Sequence, residues 1–243
     1  MSARRANRVT RVRGTQPRRP VGVRSERRTV YVVAEGQRTE PEYLGHLLER
    51  YGQRCGFHFI FPERGTGGLT PAQVVAHAKE RVGADGIDQV WAFFDRDQWT
   101  EIPQVFADAR RSGVRVAFSH PAFELWLLLH FQRFAAPQGG DNTQVIRVLR
   151  RMSAFQNYGR GRDGKGITDA RFEALDANGG VAGAVRNARE LDDNCPSGCC
   201  SGRDPAAEGH PPDRCDPDRR DPTTGAWRLM EGLGITNTCR RKG

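Results

Sequence analysis

Residues 28–36 read R-T-V-Y-V-V-A-E-G, a short β-branched run that ends on Glu35 and Gly36. A continuous apolar run of this length is the pattern of a strand buried on both faces of a sheet. Residues 89–97, Q-V-W-A-F-F-D-R-D, repeat the pattern, and that strand ends at Asp95 with Asp97 just beyond. Between the two lies T-E-P-E-Y-L-G-H-L-L-E-R-Y, with Leu44, Leu47 and Leu48 at helical spacing. Thr39 and Glu42 stand where a capping box would place them, and Pro41 suits a first turn. F-H-F-I-F at 57–61 predicts a second strand, and Thr70–Pro71 opens a helix to about Val82. Further on, Pro103 to Ser112 predicts a helix closed by Gly113, V-R-V-A-F-S at 114–119 a fourth strand, and Ala122 to Phe131 an apolar helix. Strands alternating with helices in this way predict an α/β fold, with a mainly parallel sheet flanked by helices.

The second half changes character. Helices are predicted at Thr143–Met152, Asp169–Leu175, Val181–Leu191 and about Thr224–Leu233, which makes a helical C-terminal part. Residues 157–166, N-Y-G-R-G-R-D-G-K-G, carry four glycines and three cations. They read either as a phosphate-contacting loop or as a plain surface loop. Residues 194–224 contain six prolines and four cysteines but no Leu, Ile, Val or Phe, so they cannot form a core by themselves. The expected organisation is an Arg-rich tail (1–27), one α/β domain (28–235) with a Cys/Pro-rich loop insertion (194–223), and a short tail (236–243).

The formal net charge is +9, and it is unevenly placed. Residues 1–28 hold ten arginines against Glu26, whereas the rest of the chain is balanced at 28 basic and 28 acidic side chains. The pI therefore describes a cationic arm, either a solvated extension or an arm that touches nucleic acid, and not a basic body. No run of about 18 apolar residues exists and no apolar segment follows the N-terminal arginines. A membrane span and a secretory signal are thus not expected, and a cytoplasmic location is.

Chemistry is concentrated in carboxylates. In an open parallel sheet, ligands bind beyond the carboxyl ends of the strands. Glu35 ends the first strand and Asp95 and Asp97 the third. If those strands are neighbours, three carboxylates converge and repel one another. A hard divalent cation, Mg²⁺ or Mn²⁺, relieves that repulsion and suits phosphodiester chemistry. Glu124, in the first turn of the helix after the fourth strand, is the fourth candidate, as second-metal ligand or general base. Its plain alternative is an acid that complements the helix dipole, and that is also the reading for Glu40 and Glu42. Asp95 and Asp97 could instead form an Asx turn. His120 is a weak candidate, and His130 on its apolar helix reads as a packed histidine. Arg38, Arg160, Arg162 and Lys165 are candidate phosphate contacts.

The run V-V-A-E-G-Q-R-T-E-P-E-Y-L, then F-F-D-R-D-Q, then H-P-A-F-E-L-W-L-L-L-H-F, and finally D-P-T-T-G-A-W-R-L-M-E-G-L resemble, in order, the motifs of the RloB-like proteins. The closing motif departs from the family's usual Ser-Thr pair. The resemblance covers roughly residues 28–235 apart from the cysteine segment. It implies a Toprim-like Rossmannoid fold in which Glu35, Asp95 and Asp97 bind Mg²⁺ and Glu124 matches the acid of the F-E-L-W motif. It also implies nuclease activity on RNA such as tRNA, or on DNA, in anti-phage defence of the abortive-infection kind, beside an AAA- or ABC-type ATPase partner. No tyrosine is arranged as a topoisomerase nucleophile, so hydrolysis is favoured over strand passage.

Six cysteines occur, at 55, 195, 199, 200, 215 and 239. Cys195, Cys199, His210 and Cys215 fall loosely within zinc-ligand spacing, so Zn²⁺ is one reading. A disulfide is disfavoured in a reducing compartment, and the composition favours a loop insertion. Two other functions compete with the nuclease. A haloacid-dehalogenase-type phosphatase also follows a strand with Asp-x-Asp, but it wants Thr or Val where Trp99 stands. A non-catalytic Toprim-fold module could dock on the ATPase. Homo-oligomerisation is compatible with all of these.

Overall fold

The computed structural model describes residues 27–62, 68–161, 164–193 and 220–236. In chain order the elements are β1 (Arg28–Ala34), α1 (Thr39–Leu47, continued by a π-helical turn), α2 (Gln53–Cys55), β2 (Phe57–Ile60), α3 (Pro71–Lys79), β3 (Gln89–Asp95), α4 (Ile102–Ser112) and β4 (Arg115–His120). There follow α5 (Glu124–Leu129), α6 (Thr143–Leu149), α7 (Asp169–Asp176), α8 (Gly180–Asp193), β5 (Thr223–Thr224) and α9 (Ala226–Gly232). The sheet order among the described residues is β2-β1-β3-β4-β5, parallel except for β5 against β4.

The alternation of side chains along each strand divides the core in two. Tyr31, Val33, Val90, Ala92, Phe94 and Phe118 face α3 and α4, whereas Val30, Val32, Phe57, Trp91, Phe93 and Ala117 face α1 and the helices from α5 onward. This explains the unbroken apolar strands, because each strand is covered on both faces. The sheet is a Rossmann-like arrangement. The chain leaves β1 toward β2 on one side, and β3 leads to β4 on the other, so the topological switch lies between β1 and β3.

Local signals are partly obeyed. Thr70 caps α3 in a reciprocal capping box with Gln73, as its Thr-Pro start predicts, and the helix ends at Lys79 rather than near Val82. Gly113 closes α4 in the left-handed region at φ 73°. The capping box predicted for Thr39 and Glu42 does not form, because Arg38 is the N-cap and makes no side-chain cap bond. Tertiary partners win these side chains. The Thr39 hydroxyl donates to the Lys165 carbonyl (2.9 Å), and Glu42 accepts from Ile167 N (2.6 Å) and Arg38 Nε (3.0 Å). Thr224, expected to start the last helix, instead belongs to β5. Cys55 is disulfide-bonded, contrary to the expectation. The candidate zinc residues Cys195, Cys199, His210 and Cys215, and Arg162, lie outside the described residues.

The C-terminal elements close on one buried charge. Asp192 of α8 is 1% exposed, and its two oxygens accept from Arg220 (2.7 Å), Arg228 (2.7 Å), Thr223 Oγ1 (3.0 Å) and Trp227 Nε1 (3.1 Å). One carboxylate thus ties α8 to β5 and α9. Removing one member of a buried pair strands the remaining charges and costs about 3–5 kcal/mol. Asp192→Ala should lower the unfolding midpoint by roughly 10 °C, and Asp192→Asn by less, in thermal or urea melts. A variant within about 1 kcal/mol of wild type would mean that the clip is not a main tie.

Candidate functional site

The switch point brings the ends of β1 and β3 side by side. Ala34 pairs with Phe93, and Glu35 N donates to Phe93 O (2.9 Å), so Glu35 emerges next to Asp95. The Glu35 carboxylate turns back on β3, accepting from Asp95 N (3.1 Å) and Trp99 Nε1 (3.2 Å). Asp97 follows at φ 36°, where few non-glycine residues are found and where backbone strain is stored. Neighbouring chain holds this turn. Arg96 N donates to Ser119 O (2.8 Å), Asp97 N to Pro121 O (3.3 Å), and a Cβ on Gly140 would sit 2.8 Å from the Asp97 carbonyl oxygen.

Two further carboxylates come from helix starts. Glu124 opens α5 and is 3% exposed; its Oε1 accepts from Tyr158 Oη (3.2 Å) and pairs with Lys165 Nζ (3.0 Å). Glu40, 5% exposed, comes from the first turn of α1. Gly36 makes its placement possible, since a Cβ there would overlap the Glu40 carboxylate. Together with Arg38 and Lys165, the carboxylates Glu35, Glu40, Asp95, Asp97 and Glu124 line one cavity of about 320 Å³.

The electrostatics of the cavity are those of only partly compensated charge. Burial raises Glu40 from 4.5 to about 7, helped by the charges of Glu124 and Glu35 and opposed by a hydrogen bond from its own backbone N–H and, less, by Lys165. Asp95 is raised well above the usual carboxylate value, by burial first and then by Glu40, Glu124, Asp97 and Glu35. Glu35 and Asp97 are raised too, again mainly by burial; the hydrogen bonds from Asp95 N and Trp99 oppose the shift of Glu35. Lys165 is raised, chiefly by Glu124.

Lys165 is delivered by a pinned loop. The guanidinium of Arg171, on α7, donates to the carbonyls of Gly164 (3.1 Å), Gly166 and Ala154 (3.3 Å), and lies over the rings of Phe155 and Tyr158. Arg150 Nε adds a bond to Tyr158 O (2.7 Å). Among the predicted phosphate contacts, the structure brings Arg38 and Lys165 into the cavity but leaves Arg160 exposed outside its lining. Glu42 clasps α1 to Ile167, consistent with a structural acid. Glu40 is the residue that sequence reasoning missed, being read only as a dipole acid. No local signal separates it from an ordinary first-turn helix acid. His130 is packed, with Nδ1 2.9 Å from Leu175 O and Nε2 3.1 Å from Tyr43 Oη; burial lowers it to about 4. His120, buried at the end of β4, has Nε2 3.9 Å from Asp221 Oδ2 and does not line the cavity.

The donor set is hard oxygen throughout, the ligand type of Mg²⁺ and Mn²⁺. Among the described residues, no three His, Cys, Asp or Glu side chains close on a common point as ion ligands. Five carboxylates face two cations in the lining, so their charge is only partly offset. Two like charges about 4 Å apart repel by about 4 kcal/mol at an effective dielectric of 20.

A carboxyl raised in the folded state binds its proton more tightly there than in the unfolded chain. Its contribution to stability therefore falls as pH rises from about 4.5 to about 7, by about 3 kcal/mol for Glu40. In chelator, wild type should lose more stability across that window than Glu40→Gln, as read by melts at matched pH. Equal slopes for the two proteins would contradict the assignment.

No helix among the described residues is long and apolar enough to cross a membrane. No curated protein and no solved structure matches the chain significantly. A family model described as RloB-like protein matches residues 30–233, which span both strand-end carboxylate motifs, α5 and α9. The chain belongs to the RloB-like family.

Proposed function

We propose that this chain is a divalent-metal-dependent phosphodiesterase of the Toprim type, hydrolysing RNA such as tRNA, or DNA, as an effector of anti-phage defence. The observation that carries the reading is the set of five carboxylates gathered at the β1–β3 switch point, with four of them raised. Such a set is unfavourable by itself and suits a site that a cation completes.

Glu35, Asp95 and Asp97 would hold the ion, and Glu124 and Glu40 are placed to hold a second or to orient water. A bound Mg²⁺ or Mn²⁺ supplies Lewis acidity and screens the charge that develops on the phosphorus oxygens. Lys165 Nζ and Arg38 line the same cavity and would bind the non-bridging oxygens of the phosphodiester. The Glu35 bonds to Asp95 N and Trp99 hold that carboxylate in register with β3. The strained backbone at Asp97 fixes the direction of its side chain.

Exposed arginines on the α6 side extend this reading to a polyanion. Arg147, Arg151 and Arg160 make no ion pair among the described residues, unlike Arg50, Arg133 and Arg189, which pair with Glu173, Glu190 and Glu231. Exposed arginines without an acidic partner suit contacts to a nucleic-acid backbone. The Arg-rich N-terminal arm and an AAA- or ABC-type ATPase belong to the same proposal, as substrate anchor and partner.

The purified chain with Mg²⁺ or Mn²⁺ is tested on tRNA, single-stranded DNA and duplex DNA, alone and with the ATPase from its locus. Metal-dependent cleavage is expected, reduced at least about 10³-fold in Asp95→Asn and about 10–100-fold in Lys165→Ala. Cleavage unaffected by Asp95→Asn, or none in any arm, would overturn the reading and favour a docking module.

A further inference from the structure

Next to the carboxylate cavity, and sharing Asp97 with it, lies a second cavity of about 630 Å³ between the turn 97–99 and the loop 139–142. The reading above gives it no role. Its lining has a distinct chemistry. Asp97 and Asp141 are acidic, and no Lys or Arg contributes among the described residues. Asp141 is kept ionised by the bonds it accepts from Thr143 N (2.8 Å) and Oγ1 (2.6 Å), which lower its pKa. A phosphate group is repelled from such walls, whereas a neutral group that hydrogen-bonds through its edge is not.

The remaining walls suit a flat ring. Trp99 is held by its indole N–H on Glu35 Oε1. Gln98 and Asn142 offer amide donors and acceptors, and Asn142 Nδ2 also reaches Glu124 Oε2 at 3.4 Å, linking the two cavities. Gly139 and Gly140 adopt φ 63° and 85°. A Cβ on Gly139 would enter open space, and one on Gly140 would strike the Asp97 carbonyl, so this wall is bare backbone. The loop is anchored from below, since Asp221 Oδ2 accepts from Gln138 N (2.7 Å) and Gly139 N.

We propose that this second cavity is a nucleobase subsite, in which a base stacks on Trp99 while its adjoining phosphodiester lies at the carboxylates. The proposal rests on the phosphodiesterase reading. A nucleotide joins base to phosphate through one sugar, which matches two cavities that share a wall. Base–aromatic stacking tolerates any sequence, and the edge contacts from Gln98 and Asn142 would set the preference among bases.

The chain has four tryptophans, and Trp91, Trp126 and Trp227 are buried, which leaves Trp99 as the partly exposed one. Emission of the full chain is therefore titrated, without metal, with adenosine, guanosine, cytidine and uridine, and separately with inorganic phosphate. At least one nucleoside should quench saturably, with half-effect in roughly the millimolar range of a fragment, and phosphate should not. Gln98→Ala should weaken the effect several-fold with Trp99 still reporting, and Trp99→Phe should abolish it. Absence of quenching by every nucleoside, equal quenching by phosphate, or quenching that survives Trp99→Phe overturns the subsite. Cleavage without nucleoside quenching removes the subsite alone. Quenching without cleavage in any arm removes the phosphodiesterase reading and leaves a base-binding cavity.

Discussion

Glu35, Glu40, Asp95, Asp97 and Glu124 share one cavity, and the rest of the structure has to hold them there against their own repulsion. Four are pushed toward their protonated forms by burial and by one another. No packing gain requires acids at these positions. The sheet supplies the rigidity. β1 and β3 are central strands covered by helices on both faces, so their ends cannot retreat when charge accumulates. The stability of the two-layered core offsets the cost of the site, as is common where backbone strain and perturbed ionisation occur together.

Compensation inside the cavity is partial and specific. Lys165 neutralises Glu124 and lowers the cost at Glu40, Asp95 N and Trp99 stabilise Glu35, and Asn142 and Tyr158 satisfy Glu124. Lys165 depends in turn on Arg171, whose bonds to the Gly164 and Gly166 carbonyls fix the loop. A residue with no contact to the cavity therefore decides whether its main cation is in place. The second half of the chain, so different in composition from the first, enters the site through this loop and through Asn142.

Much of the fold was legible because strong local signals agreed with the tertiary outcome. The apolar runs at β1 and β3 are buried on both faces, and Thr70–Pro71 and Gly113 bound helices as their chemistry predicts. Signals failed where a side chain had a better distant partner. Thr39 and Glu42 have the spacing of a capping box, yet Lys165 and Ile167 claim them from more than a hundred residues away. Glu40 was misread for the same reason. A first-turn acid is explained by the helix dipole alone, so nothing local shows that the bare backbone of Gly36 admits its carboxylate into the cavity.

The sequence by itself determined the α/β class, the strand ends that carry Glu35, Asp95 and Asp97, and the family, because hydrophobic period and motif order are written along the chain. Only the tertiary structure decided that β1 and β3 are neighbours, that Glu40 and Lys165 join the cavity, that Arg160 does not, and that Trp99 bonds to Glu35. Strand order and long-range contacts depend on which surfaces bury one another, and that information is spread over the whole chain rather than held in any one stretch of it.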